Sequence, residues 1–266
     1  MQRIDLPHAD VTLSCLLFGP ESAPPVVLLH GLAGAASELQ PTAAALAKDF
    51  RVVVPDQRGH GHSTRRPADV SRRAYVEDAA FVIRELCGGG PVSVAGQSMG
   101  GHTAMLLAAW HPHLVDRLVM LEAGVGGTAP DDDYPARLGT WFASWPLPFA
   151  TPAAAVAFLG GTPTAHAWAA DLEAGPDGLR PRFDADVMEA AIRPVAATAR
   201  WPEWTAVTAP TWLIRGERGT CPPAEDARMR DLRPACEYRQ IPDAGHDAHL
   251  DQPEAWLTLL REALTS

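Results

Sequence analysis

Positive charge is scarce in this chain. Its 266 residues include a single lysine, Lys48; Lys and Arg together number 22 against 32 Asp and Glu, and the formal net charge is −10. No Lys/Arg-rich run occurs, which argues against a nucleic-acid partner and against an anionic membrane surface. Cysteine is sparse as well. Cys15, Cys87, Cys221 and Cys236 lie far apart with no C-x-x-C spacing, and no secretory leader is legible before the first strand-like segment, so a cytoplasmic protein with reduced thiols is expected. No apolar run approaches the roughly 18 residues that a membrane span requires. Internal repeats and low-complexity tracts are absent too. What remains is an ordinary globular composition, 47% hydrophobic and 20% charged, long enough for one large core or two modest ones.

Apolar runs punctuate the chain in a regular order. "VTLSCLLFG" (11–19), "PPVVLLHG" (24–31) and "FRVVVPDQRG" (50–59) read as strands, and the last two are nearly continuous, as expected of strands covered on both faces. Helical spacing appears at 37–48 and at 71–87, the latter opening on Ser71 as an N-cap. A strand at 91–95, a helix at 99–111 and a strand at 116–124 follow, then much later strands at 209–217 and 236–246 and a closing helix at 252–264. Strands alternating with helices imply a mostly parallel sheet flanked on both faces. Between 125 and 206 the strand rhythm stops. That interval holds five of the eight tryptophans, Trp141, Trp145, Trp168, Trp201 and Trp204, with many prolines and helical stretches such as 184–199. It reads as an inserted helical cap on a core of 1–124 and 207–266, because a structureless loop of that length is improbable in a compact domain.

In "VSVAGQSMGGHTAMLL" Ser98 lies between two glycines at a strand-to-helix corner. G-x-S-x-G in this context is the mark of a nucleophile raised on a tight turn, with Gly96 and Gly100 leaving room and the helix N-terminus directed at the serine. The Met99 N–H can face a developing oxyanion. "VVLLHGLAG" supplies the complement: a strand ending in His-Gly turns so that the Leu32 N–H can point to the same place. The bland alternative for both glycine pairs is turn chemistry alone.

Four blocks, "HGLAG" at 30–34, "PDQRGHGHS" at 55–63, "GQSMGG" at 96–101 and "PDAGHDAHLDQPEAW" at 242–256, give the chain a resemblance to the α/β-hydrolase superfamily over essentially its full length. The resemblance implies an α/β-hydrolase fold, a mostly parallel eight-stranded sheet flanked by helices with only an early strand antiparallel, and an inserted helical cap at 125–206. It also implies that His246 is the general base. A late loop can carry an imidazole over Ser98, take its proton and return it to the leaving group. His249 is the competitor, better suited to propping the loop; metal binding by the H-x-x-H pair is disfavoured, and no metal site is expected. Asp56, Arg58 and His60 resemble the family's structural turn.

The acid of a Ser-His-acid triad is not where the resemblance puts it. A few residues beyond the penultimate strand, in "LIRGERGTCPP", the expected sites hold Gly219 and Thr220. Glu122 at the end of "RLVMLEAGVGG" and Glu217 are the alternatives. Glu122 is preferred because it follows apolar residues of an interior strand and has small neighbours, Ala123, Gly124 and Gly126; Asp247 is adjacent to His246 and badly placed to fold back on it.

The expected activity is therefore a serine hydrolase acting on an ester, lactone or related acyl bond of a small, largely apolar molecule, with Ser98, His246 and Glu122 catalytic, Leu32 and Met99 in the oxyanion hole, and no cofactor. Trp141, Trp145, Trp168 and Trp201 are expected to line the substrate entrance. A carbon–carbon bond hydrolase of the same fold and a ligand receptor without turnover are the rival readings. Oligomeric state is not legible.

Overall fold

A computed structural model describes residues 1–127 and 133–266. Eight strands form one sheet: β1 (Gln2–His8), β2 (Val11–Phe18), β3 (Pro25–Leu29), β4 (Arg51–Pro55), β5 (Val92–Gln97), β6 (Val115–Leu121), β9 (Thr211–Gly216) and β10 (Glu237–Ile241). Their order is β1-β2-β4-β3-β5-β6-β9-β10. Only β2 runs against its neighbours; from β4 to β10 every pairing is parallel. All residues of β5 and β9 are buried, the polar Gln97 and Arg215 at their carboxyl ends included. The edge strand β1 escaped the apolar pattern because it offers only Ile4 and Leu6 to the core and exposes most of the rest.

Two cores follow from the two faces of the sheet. Helices α2 (Arg72–Leu86), α3 (Met99–Trp110), α8 (Trp201–Ala206) and α9 (Pro223–Leu232) share one core with Val27, Val94, Leu118 and Leu213. Across the sheet, α1 (Gln40–Leu46), the short α10 (Ala248–Asp251) and α11 (Pro253–Thr265) close over Val26, Val52, Val119 and Ile214. Ser71 caps α2 as expected, accepting from Ala74 N at 3.2 Å. Helix α1 is shorter than its pattern, starting only at Gln40.

Between β6 and β9 the chain forms α4 (Tyr134–Ala143), α5 (Pro152–Phe158), α6 (Pro163–Ala170), the short strands β7 (Glu173–Gly175) and β8 (Gly178–Arg180), and α7 (Ala185–Ala197) before α8. The prolines of this interval have a local cause. Helices α4, α5 and α6 each carry Pro in the first turn behind an Asp or Thr cap, where the missing N–H costs nothing; Asp133, Thr151 and Thr162 accept from Ala136, Ala154 and Ala165. The interval is not wholly helical. β7 and β8 pair antiparallel around Gly175-Pro176-Asp177-Gly178, a turn sequence that promotes reversal. A third core of rings, Phe142, Trp145, Phe149 and Phe183, rests on Ala33 and Leu32. Helix α8 belongs elsewhere: Trp204 is fully buried in the sheet's own core and its Nε1 donates to the Met229 carbonyl at 2.9 Å.

Candidate active site

Ser98 sits between β5 and α3 with φ 51° and ψ −121°, a region that L-residues enter only when their surroundings force them there, at a cost on the order of 1–3 kcal/mol. The constraint is visible at Gly100: a side chain there would collide with the Leu29 and His30 carbonyls, so the first turn of α3 packs directly onto the end of β3. The turn after β3 is held from the other side. His30 Nε2 accepts from Gln57 N at 2.9 Å, Gln57 Nε2 donates to the His30 carbonyl at 2.6 Å, and His30 Nδ1 meets the Gly31 carbonyl at 2.7 Å. Leu32 follows in this anchored turn. Met99 is the first residue of α3, so its N–H has no acceptor within the helix.

β6 stops at Leu121, one residue before the carboxylate of interest. Glu122 has φ 48° and a fully buried side chain. Both of its oxygens are fixed by backbone amides: Gly216 N donates to Oε1 at 2.8 Å and Thr220 N to Oε2 at 2.9 Å. His246, in the loop after β10, brings Nδ1 to 3.4 Å from Glu122 Oε2. Burial by itself would raise the Glu122 carboxyl, but the His246 hydrogen bond and the two amides hold it below the usual carboxylate value. For His246 burial pulls downward, while Glu122 and Asp247 outweigh it and raise the imidazole above its ordinary value.

The missing Asp has a structural explanation. A side chain at Gly219 would run into the Glu122 carboxylate, so the carboxylate reaching over from β6 fills the space that a residue rooted after β9 would need. In the sequence alone Gly219 and Thr220 stand out only as the wrong residue types for a triad acid. Thr220 also contributes directly, with Oγ1 2.8 Å from His246 Nδ1, nearer than Glu122 Oε2. The small residues after Glu122 serve different neighbours from those expected: Gly124 clears the Glu225 carboxylate, and Gly126 clears the Val195 carbonyl and His102.

The remaining carboxylates and histidines have other partners. Exposed Glu217 accepts from Asp243 N at 2.9 Å. Asp247 accepts from Gln97 Nε2 at 3.2 Å and from Thr164 Oγ1 at 2.7 Å. His249 props the loop from beneath, its Nε2 2.8 Å from Glu38 Oε1 with both residues buried. Asp56 binds Ala36 N, His62 N and Arg3, and Arg58 forks onto Asp78, so this turn is structural. Gln97 Nε2 further donates to the His246 carbonyl at 3.1 Å, stapling the imidazole's loop to the residue before Ser98. No hydrogen bond joins Ser98 to His246 among the described residues; in ligand-free sites such contacts are commonly loose.

A cavity of about 140 Å³ contains Ser98, Met99, His102 and Glu122, walled by Ile192 and Val195 of α7. None of the four tryptophans expected at an entrance lines it. Trp145 and Trp168 border a separate void of about 20 Å³ beside Ala33 and Gly34. Trp141, 41% exposed, stacks at an edge on Trp145. Trp201 packs against the sheet's core under the Arg228 guanidinium at 4.0 Å. These rings bury one another or the core, because large aromatic surface in an insertion first has to hold the insertion together. Beside Ser98, Met99 and Glu122, which the sequence points to, the cavity is lined by His102 and Glu225, which carry no sequence signal beyond His102's place one turn after Ser98.

Comparison with known proteins gives a consistent picture. Residues 24–253 match the family model described as the alpha/beta hydrolase fold. The sn-1-specific diacylglycerol lipase ABHD11 of Mus musculus is 27% identical, over 94% of this chain and 83% of the relative. The 2-(acetamidomethylene)succinate hydrolase of Mesorhizobium japonicum is 28% identical over 89% of this chain and 86% of its own. The crystal structure of E-2-(acetamidomethylene)succinate hydrolase superposes with a TM-score of 0.86, each chain covered to 100%, at 24% identity; at that identity the likeness speaks for the fold alone.

Proposed function

Because this chain belongs to the α/β-hydrolase fold family, we propose that it is a serine hydrolase of a small ester or lactone, working through an acyl-enzyme. Ser98 Oγ attacks the carbonyl carbon and passes its proton to His246 Nε2; the Leu32 and Met99 amides bind the oxyanion. The imidazolium returns the proton to the leaving oxygen, and a water activated by the same imidazole then releases the acid. Glu122 keeps the Nδ1 proton in place and stabilises the cation. The observation that carries this reading is the doubly anchored Glu122 carboxylate lying 3.4 Å from His246 Nδ1. A structural glutamate has no need of a histidine there, and a receptor has no need of a base.

The test is covalent labelling by an alkyl fluorophosphonate alongside hydrolysis of a p-nitrophenyl ester and lactone panel. A single phosphonyl adduct on Ser98 with ester or lactone turnover is expected. No adduct and no turnover would leave the receptor reading in its place.

A further inference from the structure

Arg72, the first residue of α2, is a buried cation without an anion. It is 2% exposed, no carboxylate pairs with it among the described residues, and its Nε and Nη1 have no hydrogen-bond partner. The third nitrogen, Nη2, donates to Thr103 Oγ1 and, at 3.5 Å, to the Met99 carbonyl, and the guanidinium lies 4.6 Å from the centre of the Tyr75 ring. Burial pulls its pKa down to about 10, with Tyr75 opposing and Arg200 assisting, so the group stays charged at neutral pH. An unpaired buried charge works against folding, and an apolar side chain of similar reach would fill the space beside Tyr75 and Met99 without that cost.

The guanidinium faces the turn that presents Ser98. Met99 opens α3, whose unpaired amides already make that end of the helix positive, so a cation beside it adds a second cost in the resting protein. The sign reverses when negative charge gathers at Ser98. Thr103 extends the contact: its single hydroxyl proton has two acceptors in reach, the Met99 carbonyl at 2.9 Å and Gln57 Oε1 at 3.2 Å. The carbonyl is already served by the helix ladder, which leaves the proton to Gln57. Gln57 in turn holds the His30 ring and carbonyl at the turn that leads to Leu32. Arg72 therefore heads one chain of hydrogen bonds that joins the two turns carrying the Met99 and Leu32 amides.

We propose that Arg72 is a positioning residue of the oxyanion hole: its charge, set behind the first turn of α3, favours the tetrahedral oxyanion over the bound ester, and its bond to Thr103 keeps the two amides in register. Arg72 does not line the cavity at Ser98 and touches no substrate. The inference rests on the serine-hydrolase reading and adds a source of transition-state stabilisation from outside the cavity.

Arg72→Met, which keeps the reach and deletes the charge, tests it on the fastest ester of the p-nitrophenyl panel at neutral pH. Loss of a direct oxyanion donor costs about 10²–10³-fold in kcat; a cation acting through the Met99 turn should cost about tenfold, with KM within about twofold and Tm unchanged or raised. The Ki of an alkyl trifluoromethyl ketone, whose adduct with Ser98 carries the oxyanion, should rise by the same factor. Arg72→Lys, which keeps a cation and a donor for Thr103, should recover most of both losses. Native kcat in Arg72→Met overturns the proposal, as does a loss confined to KM or one that Arg72→Lys does not relieve. A fall in Tm of about 10 °C or more in Arg72→Met overturns it too, because the guanidinium would then belong to the fold. Each of these results leaves hydrolysis by Ser98 standing. A native protein that turns over no ester or lactone and takes no phosphonyl adduct on Ser98 overturns the hydrolase reading, and the role of Arg72 with it.

Discussion

The loops at the carboxyl edge of the sheet and the segment between β6 and β9 are built on different physics. At the edge, each side chain is aimed by directed bonds: Glu122 by the Gly216 and Thr220 amides, His30 by Gln57, Asp56 by Ala36 and His62. In the insertion, Phe142, Trp145, Phe149 and Phe183 are held ring against ring, with centroids 5.0 Å apart for Phe142–Phe183 and 6.1 Å for Trp145–Phe149. Polar bonds there cap its helices or tie its margins to the core, where Arg65 joins Asp184 and Glu173 to the loop after β4 and Thr164 reaches Asp247. The first construction is intolerant of a changed atom. The second is intolerant of a changed volume.

Substitutions that alter one atom should therefore separate the regions, and the largest effect belongs to Ser98. Ser98→Ala removes a single oxygen from a half-buried corner and should cost on the order of 10⁵-fold in kcat with Tm unchanged, since the loss of a covalent nucleophile leaves only oxyanion and binding terms. Near-normal hydrolysis by the folded variant would reduce Ser98 to a turn residue.

Glu122→Gln is next, at about 10⁴-fold in kcat, whereas Glu217→Gln should stay within about twofold. The pH profile supplies a second readout. His246 acts as a base only when neutral, so kcat/KM rises with pH through its pKa. Burial opposes but Glu122 and Asp247 prevail, which puts the midpoint above the ordinary value of about 6.5. Glu122→Gln should move the midpoint down. The same pair adds stability in a bounded window: the His246 part is full below its unfolded pKa and fades as pH rises through the folded one, and the Glu122 part is full above its unfolded pKa and fades as pH falls through the folded one. A crippled Glu217→Gln beside a mild Glu122→Gln would return the acid to the end of β9.

The same division explains what the sequence discloses. Ser98 stands out because a tight strand-to-helix turn admits few residue types, and that restriction shows as a short motif; His246 stands out only through the family resemblance of the block at 242–256. The interior strands from β2 to β9 are legible because most of their residues are buried; of the two edges, β10 still shows through Tyr238 and Ile241, whereas β1 offers only Ile4 and Leu6 and escapes the pattern. Glu122 stands out in the sequence only as a carboxylate at the end of an apolar strand with small residues after it, once the expected acid position is found empty. The role of Gly219 lies in what it leaves empty, and the hydroxyl of Thr220 meets His246 across the fold from a residue 26 positions away. Ring clusters leave no such mark. Trp141, Trp145, Trp168 and Trp201 read as binding residues because composition records aromatic area and not the direction in which it faces.

Thr220 sharpens the comparison, since it offers two groups to one site. Thr220→Val keeps the amide on Glu122 Oε2 and deletes the hydroxyl near His246 Nδ1. With the carboxylate still in reach, kcat should fall by about tenfold or less, with KM little changed. Thr220→Ser should recover most of it. A loss as large as that of Glu122→Gln would make the hydroxyl, and not the carboxylate, the partner that orients the imidazole.

The smallest effect on turnover is expected in the insertion, and Trp145 is where the distinction can be broken. Its ring is 5% exposed and touches Phe142, Phe149, Trp168 and Phe183, yet its Nε1 is buried with no hydrogen-bond partner. If volume alone matters, Trp145→Phe removes an unsatisfied N–H while keeping most of the ring, and costs less than about 1.5 kcal/mol. Trp145→Ala opens a cavity and costs about 3–5 kcal/mol, a fall in Tm of roughly 10 °C for a chain of this size. Both should hold kcat/KM within about threefold at 25 °C, because the ring borders the void beside Ala33 and not the cavity at Ser98. A Trp145→Phe protein with native Tm and a tenfold loss of kcat/KM would mean that the ring's N–H is reserved for substrate, and the insertion would then join the sheet edge as a region that reads single atoms.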